Sequence, residues 1–321
     1  MPPKRTKLLY ESATPRNSHF TVAHNVRRFL HGLSGWLARF DRNIIPEPPE
    51  PPLNKQAEIE AFLRRIDYPD DGARRYVEIH MERFLRTLTM VPPPSKTGRA
   101  LELGAYMQMT PVLGCVLGYS EVRGGYFGKL GRTDEKTVSS GGREVFRCRV
   151  DQFDAEIDLY PYPDESFDTI LACEIFEHFL HDPMHMLIES RRVLIDGGTL
   201  ILTTPNVVSY TAVARVLEMS GNPQLYSMYP DPRGEYAATE VGHMREYTPA
   251  ELEQVVRSAG FEVQYLFTKI APGYNSYLWV PKLLERNNAT PILRGEQMFL
   301  LARKKSGMPI ERYPPFLYEG M

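Results

Sequence analysis

The chain has 321 residues, 42% of them hydrophobic, and a formal net charge of −2; that suits one large domain with extensions or two small ones, and argues against a dedicated nucleic-acid binder, which carries a basic excess. Its three cysteines, Cys115, Cys148 and Cys173, stand singly, so a zinc ribbon is excluded and no disulfide framework is expected. No apolar run approaches the ~20 residues that span a bilayer and no secretory signal is expected, which makes the cytoplasm the expected compartment.

Residues 1–45 carry eight Lys/Arg against Glu11 and Asp41, and Val22, Val26, Leu30, Leu33, Leu37 and Phe40 recur at spacings of three and four. That pattern predicts a basic amphipathic helix. It would dock on the main domain or a protein partner, or rest on an anionic membrane surface as a peripheral contact. Pro46 to Pro52 (PEPPEPP) follows as a stiff linker, because proline cannot continue a helix. The expected divisions are therefore 1–52 as arm and linker, 53–97 as a helical extension, 98–305 as the main domain and 306–321 as a tail. Within the extension, Ile59, Phe62, Leu63 and Ile66 form one apolar stripe and Val77, Met81, Phe84, Leu85 and Leu88 a second.

From Arg99 the pattern becomes strands alternating with helices, the mark of a mostly parallel α/β sheet. Seven strands are predicted, at 100–103, 121–127, 144–150, 167–173, 199–204, 261–269 and 297–303. Helices are predicted at 111–117, from Asp182-Pro183 to a stop at Gly197, at 210–219, and at 249–259 before Gly260. The Gly/Ser-rich stretch 128–144 reads as a surface hairpin or loop. The predicted fold class is α/β, a Rossmann-like seven-stranded sheet flanked by helices with an N-terminal helical extension.

Four blocks carry the chemistry. The first strand ends Leu101-Glu102-Leu103-Gly104-Ala105, where a glycine lets a ligand approach the backbone before a helix N-terminus. It is not GxGxxG, since Tyr106 and Gln108 stand where glycines would be expected. The second block runs from Phe153 to His178 (FDAEIDLYPYPDESFDTILACEIFEH). The third runs from Arg192 to Asn206 (RVLIDGGTLILTTPN). The fourth is GHMREYT (242–248), leading into AELEQVVRSAGFEV. In this order and spacing the blocks resemble the class I S-adenosylmethionine (SAM)-dependent methyltransferases, of the type that includes ubiquinone-pathway O-methyltransferases and polysaccharide-cluster methyltransferases. The resemblance covers roughly residues 98–270.

The resemblance implies SAM as cofactor, with the Glu102, Gly104, Ala105 and Tyr106 turn facing its methionine part. It implies Asp154, Ala155 and Glu156 near the adenine, and Cys173 and Glu174 at the lip of the site. The family places an acid after the second strand for the ribose hydroxyls. Here that stretch reads Arg123-Gly124-Gly125-Tyr126, so Asp154 or Glu156 would have to compensate.

Glu174, Glu177 and His178 form ExxEH, which would share one face if the chain turned helical after Cys173. Comparable clusters in related O-methyltransferases and small-RNA ribose methyltransferases are associated with a metal and a distant histidine, for which His243 is the candidate. Glu174, Glu177, His178 and His243 are thus candidate ligands for Mg²⁺ or Mn²⁺, and His178, His243 and Glu177 candidate catalytic groups. The alternative is that Glu177 and His178 brace their helix. His181 and His185 read as an exposed helix face. Arg245, Tyr247, Tyr226 and Tyr229 are candidate acceptor contacts, the last two on a Tyr/Pro-rich loop, 221–241, that could form a lid.

The expected function is methyl transfer to a hydroxyl of a small molecule or glycan-linked acceptor. Ala172-Cys173-Glu174-Ile175 lacks the Asn/Asp-Pro-Pro-aromatic signature of amino methylation. An RNA ribose methyltransferase with a metal site, or a non-catalytic methyltransferase fold acting as a scaffold, are the other readings.

Overall fold

The computed structural model describes residues 48–225, 229, 242–271, 277 and 279–318. The amphipathic arm expected over residues 1–45, Tyr226, and all of the candidate lid from 230 to 241 lie outside the described residues. The chain divides into two compact units, and the sheet with its cavity belongs to the unit formed by residues 46–282 and 291–321.

Among the described residues three helices precede the sheet: α1 (Gln56–Arg65), α2 (Asp71–Ile79) and α3 (Met81–Thr89). The Asp70 side chain caps α2 by accepting from the Ala73 N–H, 2.8 Å away. His80 leaves helical geometry and separates α2 from α3. Both predicted stripes are buried, from Ile59 and Leu63 through Leu88.

The strands are β1 (Arg99–Leu103), β2 (Glu121–Tyr126), β3 (Thr133–Ser140), β4 (Arg143–Gln152), β5 (Phe167–Cys173), β6 (Leu194–Pro205), β7 (Phe261–Lys269) and β8 (Gln297–Lys304). The helices among them are α4 (Thr110–Cys115), α5 (Pro183–Val193), α6 (Tyr210–Leu217), α7 (Pro249–Ser258) and α8 (Trp279–Arg286). The strand order is β3-β4-β2-β1-β5-β6-β8-β7. The β4-β2-β1-β5-β6 pairings are parallel, and those involving β3 and β8 are antiparallel.

Among the described residues the sheet thus has eight strands, not seven. The extra one, β3, carries Thr-Asp-Glu-Lys-Thr-Val-Ser-Ser with only Val138 buried. An edge strand with one inward side chain lacks the alternation that reveals a strand, and its charges blunt the open edge. Gly141 and Gly142, both at positive φ, turn β3 into β4, and the Asp67 carboxylate accepts both their N–H groups. A second correction concerns Gly197. The helix expected to stop there ends at Val193, and Gly197 (φ 76°) lies within β6 where the register with β5 shifts.

Strand alternation divides the core in two. Leu101, Ile170, Leu200 and Leu300 join α5 and α7 on one face. Ala100, Leu171, Ile201 and Leu301 pack with the stripes of α1 and α3 on the other. Full burial of each such leucine or isoleucine is worth about 1.5–3 kcal/mol. The helical extension therefore covers one side of the sheet.

Asp168 in β5 fastens the segment that leaves the extension. Its carboxylate accepts from the Ser95 and Thr97 hydroxyls and from the Arg99 N–H at 2.8 Å. Burial opposes its ionisation, but these bonds outweigh burial and hold the carboxyl down at about 2. A depressed folded-state pKa contributes stability above the unfolded value near 4 that is lost as pH falls toward 2. Asp168→Ala is expected to destabilise the fold by about 2–4 kcal/mol in urea unfolding at pH 7. The gap to wild type should narrow below pH 4, and a gap independent of pH would contradict this role.

Among the described residues no helix is long and apolar enough to cross a membrane. The tail expected at 306–321 is tied down: the Arg312 guanidinium and the Tyr318 hydroxyl both donate to Asp182, the N-cap of α5.

Candidate functional site

A cavity of about 570 Å³ opens at the carboxyl ends of β1 and β5. These two strands are neighbours, and the chain order runs away from them in both directions. Open α/β sheets bind ligands at such a reversal.

One wall is the turn after β1. Gly104 sits at φ 70°, a left-handed conformation that L side chains disfavour, and a Cβ there would come within 2.8 Å of Ile175 Cγ2. Behind it Glu102 is buried and accepts from the Thr110 hydroxyl. Burial pushes its carboxyl up to about 7 against that hydrogen bond. Tyr106 also lines the cavity, and its ring meets Tyr126 edge-on at 5.3 Å.

The second wall follows β5. The expected single helical face for ExxEH does not form: Glu174 is left-handed (φ 55°), and Phe176–His178 make a 3₁₀ turn. Glu174, Glu177 and His178 nevertheless all reach the cavity, as does Cys173, whose thiol burial raises. The Glu174 carboxylate pairs with Arg83 at 2.6 Å and accepts from Thr203 and Gln297.

Glu177 is fully buried. Its backbone carbonyl accepts from the Met244 and Arg245 N–H groups, which fastens the 242–248 loop beside it. Its Oε2 accepts from the Thr204 hydroxyl at 2.9 Å. Its Oε1 has no hydrogen-bond partner among the described residues. Desolvation, then the neighbouring Glu174 charge, push this carboxyl well above the usual range. His243 Nε2 lies 3.8 Å and His178 Nε2 4.0 Å from Oε1. The two imidazoles stand perpendicular, 4.8 Å apart. On its far side His243 Nδ1 lies 2.9 Å from Glu246 Oε1. A carboxylate there orients the ring and directs Nε2 at Glu177. One ligand atom each from Glu177, His178 and His243 lies within 4.8 Å of the others. Glu174, expected in the same set, is held apart by Arg83.

The third wall was not legible as part of the site. Tyr76, His80, Arg83 and Phe84 of the helical extension face the cavity. Their apolar stripe announces a packed helix, and nothing in the sequence says against which strand ends it rests. Glu246 stands inside the fourth block without having been singled out.

Other expected contacts lie elsewhere. Glu156 is buried and its carboxylate accepts from the His181 and Asp182 N–H groups, while Asp154 accepts from the Glu156 N–H. Neither they nor Ala155 or Ala105 line the cavity. No acid follows β2, and Tyr126 ends that strand. Tyr247 is buried against Phe176, and Arg245 pairs with Glu251. Tyr229 is exposed. His185 contacts the Asp158 carbonyl at 2.8 Å, and His181 is exposed.

A mostly parallel sheet with a cavity at its order reversal defines an open α/β protein. Residues 132–202 match the family profile described as "Methyltransferase domain". A Mycolicibacterium smegmatis protein described as a probable S-adenosylmethionine-dependent methyltransferase is 28% identical over 116 residues, 36% of this chain and 37% of that one. Among solved structures, a SAM-dependent methyltransferase from Methanosarcina mazei aligns with TM-score 0.42 and 16% identity, covering 64% of this chain and 92% of its own. One from Archaeoglobus fulgidus aligns with TM-score 0.40 and 17% identity, covering 78% and 94%. Over these segments the chain is similar to SAM-dependent methyltransferases.

Proposed function

We propose that this protein binds SAM at the Gly104 turn and transfers its methyl group to a hydroxyl of a small molecule or glycan-linked acceptor. The observation that carries this reading is the orphaned Glu177 Oε1, buried between His178 and His243 on the cavity that Gly104 also lines. The cavity volume suits a cofactor-sized ligand. Glu102, Glu174 and Glu177 all line it.

SAM supplies an activated methyl group with its own leaving group. The protein must align the acceptor and accept its proton. His178, partly exposed to the cavity, takes that proton, with Glu177 buried 4.0 Å from its Nε2. The same set suits a divalent cation. An unpartnered carboxylate oxygen flanked by two imidazoles would hold Mn²⁺ more readily than Mg²⁺, which prefers an all-oxygen shell. A cation held there would lower the pKa of an acceptor hydroxyl.

The Glu–His–His geometry is equally the observation that favours a second reading, methylation of an RNA ribose 2′-hydroxyl. Calorimetry with SAM tests the first step: binding at micromolar to sub-millimolar SAM is expected, and none at millimolar SAM would favour a scaffold. Transfer of labelled methyl groups to fractionated cell extract then identifies the acceptor. Label removed by ribonuclease would select the RNA reading.

A further inference from the structure

The mechanism above leaves Arg83 unused. Among the described residues lining the cavity it is the one lysine or arginine. It comes from α3, outside the blocks that resemble a methyltransferase. Its side chain is 13% exposed. Nη1 lies 2.6 Å from Glu174 Oε2, and Nη2 donates to the Tyr76 hydroxyl at 2.6 Å. The guanidinium carbon lies 5.7 Å from the Tyr76 ring centre and 5.6 Å from that of Phe84. Arg83 is thus braced by its own helical pair and aimed at the end of β5.

Glu174 needs such a brace. Its backbone is left-handed, a conformation that costs a non-glycine residue of order 1 kcal/mol and persists only where surroundings enforce it. Its Oε1 accepts from Thr203 Oγ1 at 2.8 Å and Gln297 Nε2 at 2.6 Å. Arg83 takes the other oxygen. Three elements, α3, β6 and β8, therefore hold one carboxylate in one orientation on the cavity wall. Without Arg83 that carboxylate would be a poorly compensated charge, free to turn about its remaining bonds or take up a proton.

We propose that Arg83 is a positioning residue of the methyl-donor site, acting through Glu174, so that the helical extension is a working wall of that site. This role rests on SAM occupying the cavity. Removing Arg83 removes the ion-pair partner of Glu174, so Arg83→Met should weaken SAM binding by about 10- to 100-fold. Arg83→Lys keeps the charge and should stay within about fivefold of wild type.

A double-mutant cycle read by calorimetry separates this role from a structural one. If Arg83 acts through Glu174, then in a Glu174→Gln background Arg83→Met should change SAM affinity by less than about twofold. Tyr76→Phe, at a half-exposed position, removes only the second partner of the guanidinium. It gives the same test if Arg83→Met does not fold: a loss of about three- to fivefold in the wild-type background and none in Glu174→Gln. Unchanged SAM affinity in Arg83→Met, or the same loss in both backgrounds, would overturn the proposal while leaving SAM binding by the wild type intact. A wild-type chain that binds no SAM would instead remove the methyltransferase reading and this role with it.

Discussion

His178→Ala is expected to lower methyl transfer roughly 10²- to 10⁴-fold, the usual worth of a positioned acid or base, with SAM affinity little changed. A hydroxyl holds its proton far above neutral pH, so its methylation needs a proton acceptor or a cation at the reacting oxygen. His178 lies just past β5, faces the cavity, and has the buried Glu177 carboxyl 4.0 Å from its Nε2. Its peptide N–H is already committed to the 3₁₀ turn, donating to the Ile175 carbonyl at 3.1 Å. The alanine variant should therefore keep the turn and lose only the imidazole. Chelator distinguishes the two roles in the wild type. Activity lost in EDTA and restored by Mn²⁺ would assign the set to a cation, and activity indifferent to chelator would assign His178 as the base. Full activity in His178→Ala would dismiss both and leave the residue as a brace.

Gly104→Val should abolish measurable SAM binding, a loss of at least about 10²-fold, given strain of about 1–3 kcal/mol per enforced backbone outlier together with the lost backbone approach. Two features act together. Gly104 has φ 70°, where a β-branched residue is strained. A Cβ would also press on Ile175, whose segment leads to Glu177 and His178. The change thus displaces the Gly104 turn and the β5 turn at once. The strand itself, with Leu101 and Leu103 in the core, should hold, and circular dichroism should show a folded chain with a lowered melting temperature. Gly104→Ala adds the least bulk and should weaken binding less than valine does. Normal SAM affinity in the valine variant would show that the donor lies elsewhere.

Much of the fold was legible because its signals are local. β5 matches its predicted bounds at Phe167 and Cys173, a short and largely apolar run of the kind a buried parallel strand carries. Asp182 and Thr248 cap their helices as their positions before Pro183 and Pro249 suggest. β3 was hidden by its polar edge face, and the end of α5 by a bulge that only pairing with β5 creates.

The candidate site divides in the same way. Glu102, Gly104, Glu174, Glu177 and His178 could be singled out because each sits close to a strand end, and strand ends are set by local hydrophobic pattern, while His243 stood out by its place in the fourth block. What only the tertiary structure decided is how those residues are partnered. Glu174 and Glu177 share one motif, yet one is neutralised by Arg83 and the other is left with an orphan oxygen between two imidazoles. Arg83 is 91 positions from Glu174, and Glu246 and Thr204 are 69 and 27 from Glu177. The charge a carboxylate carries depends on burial and on neighbours within a few ångströms. Those neighbours arrive through sheet order and helix docking, which the spacing of residues along a chain does not encode.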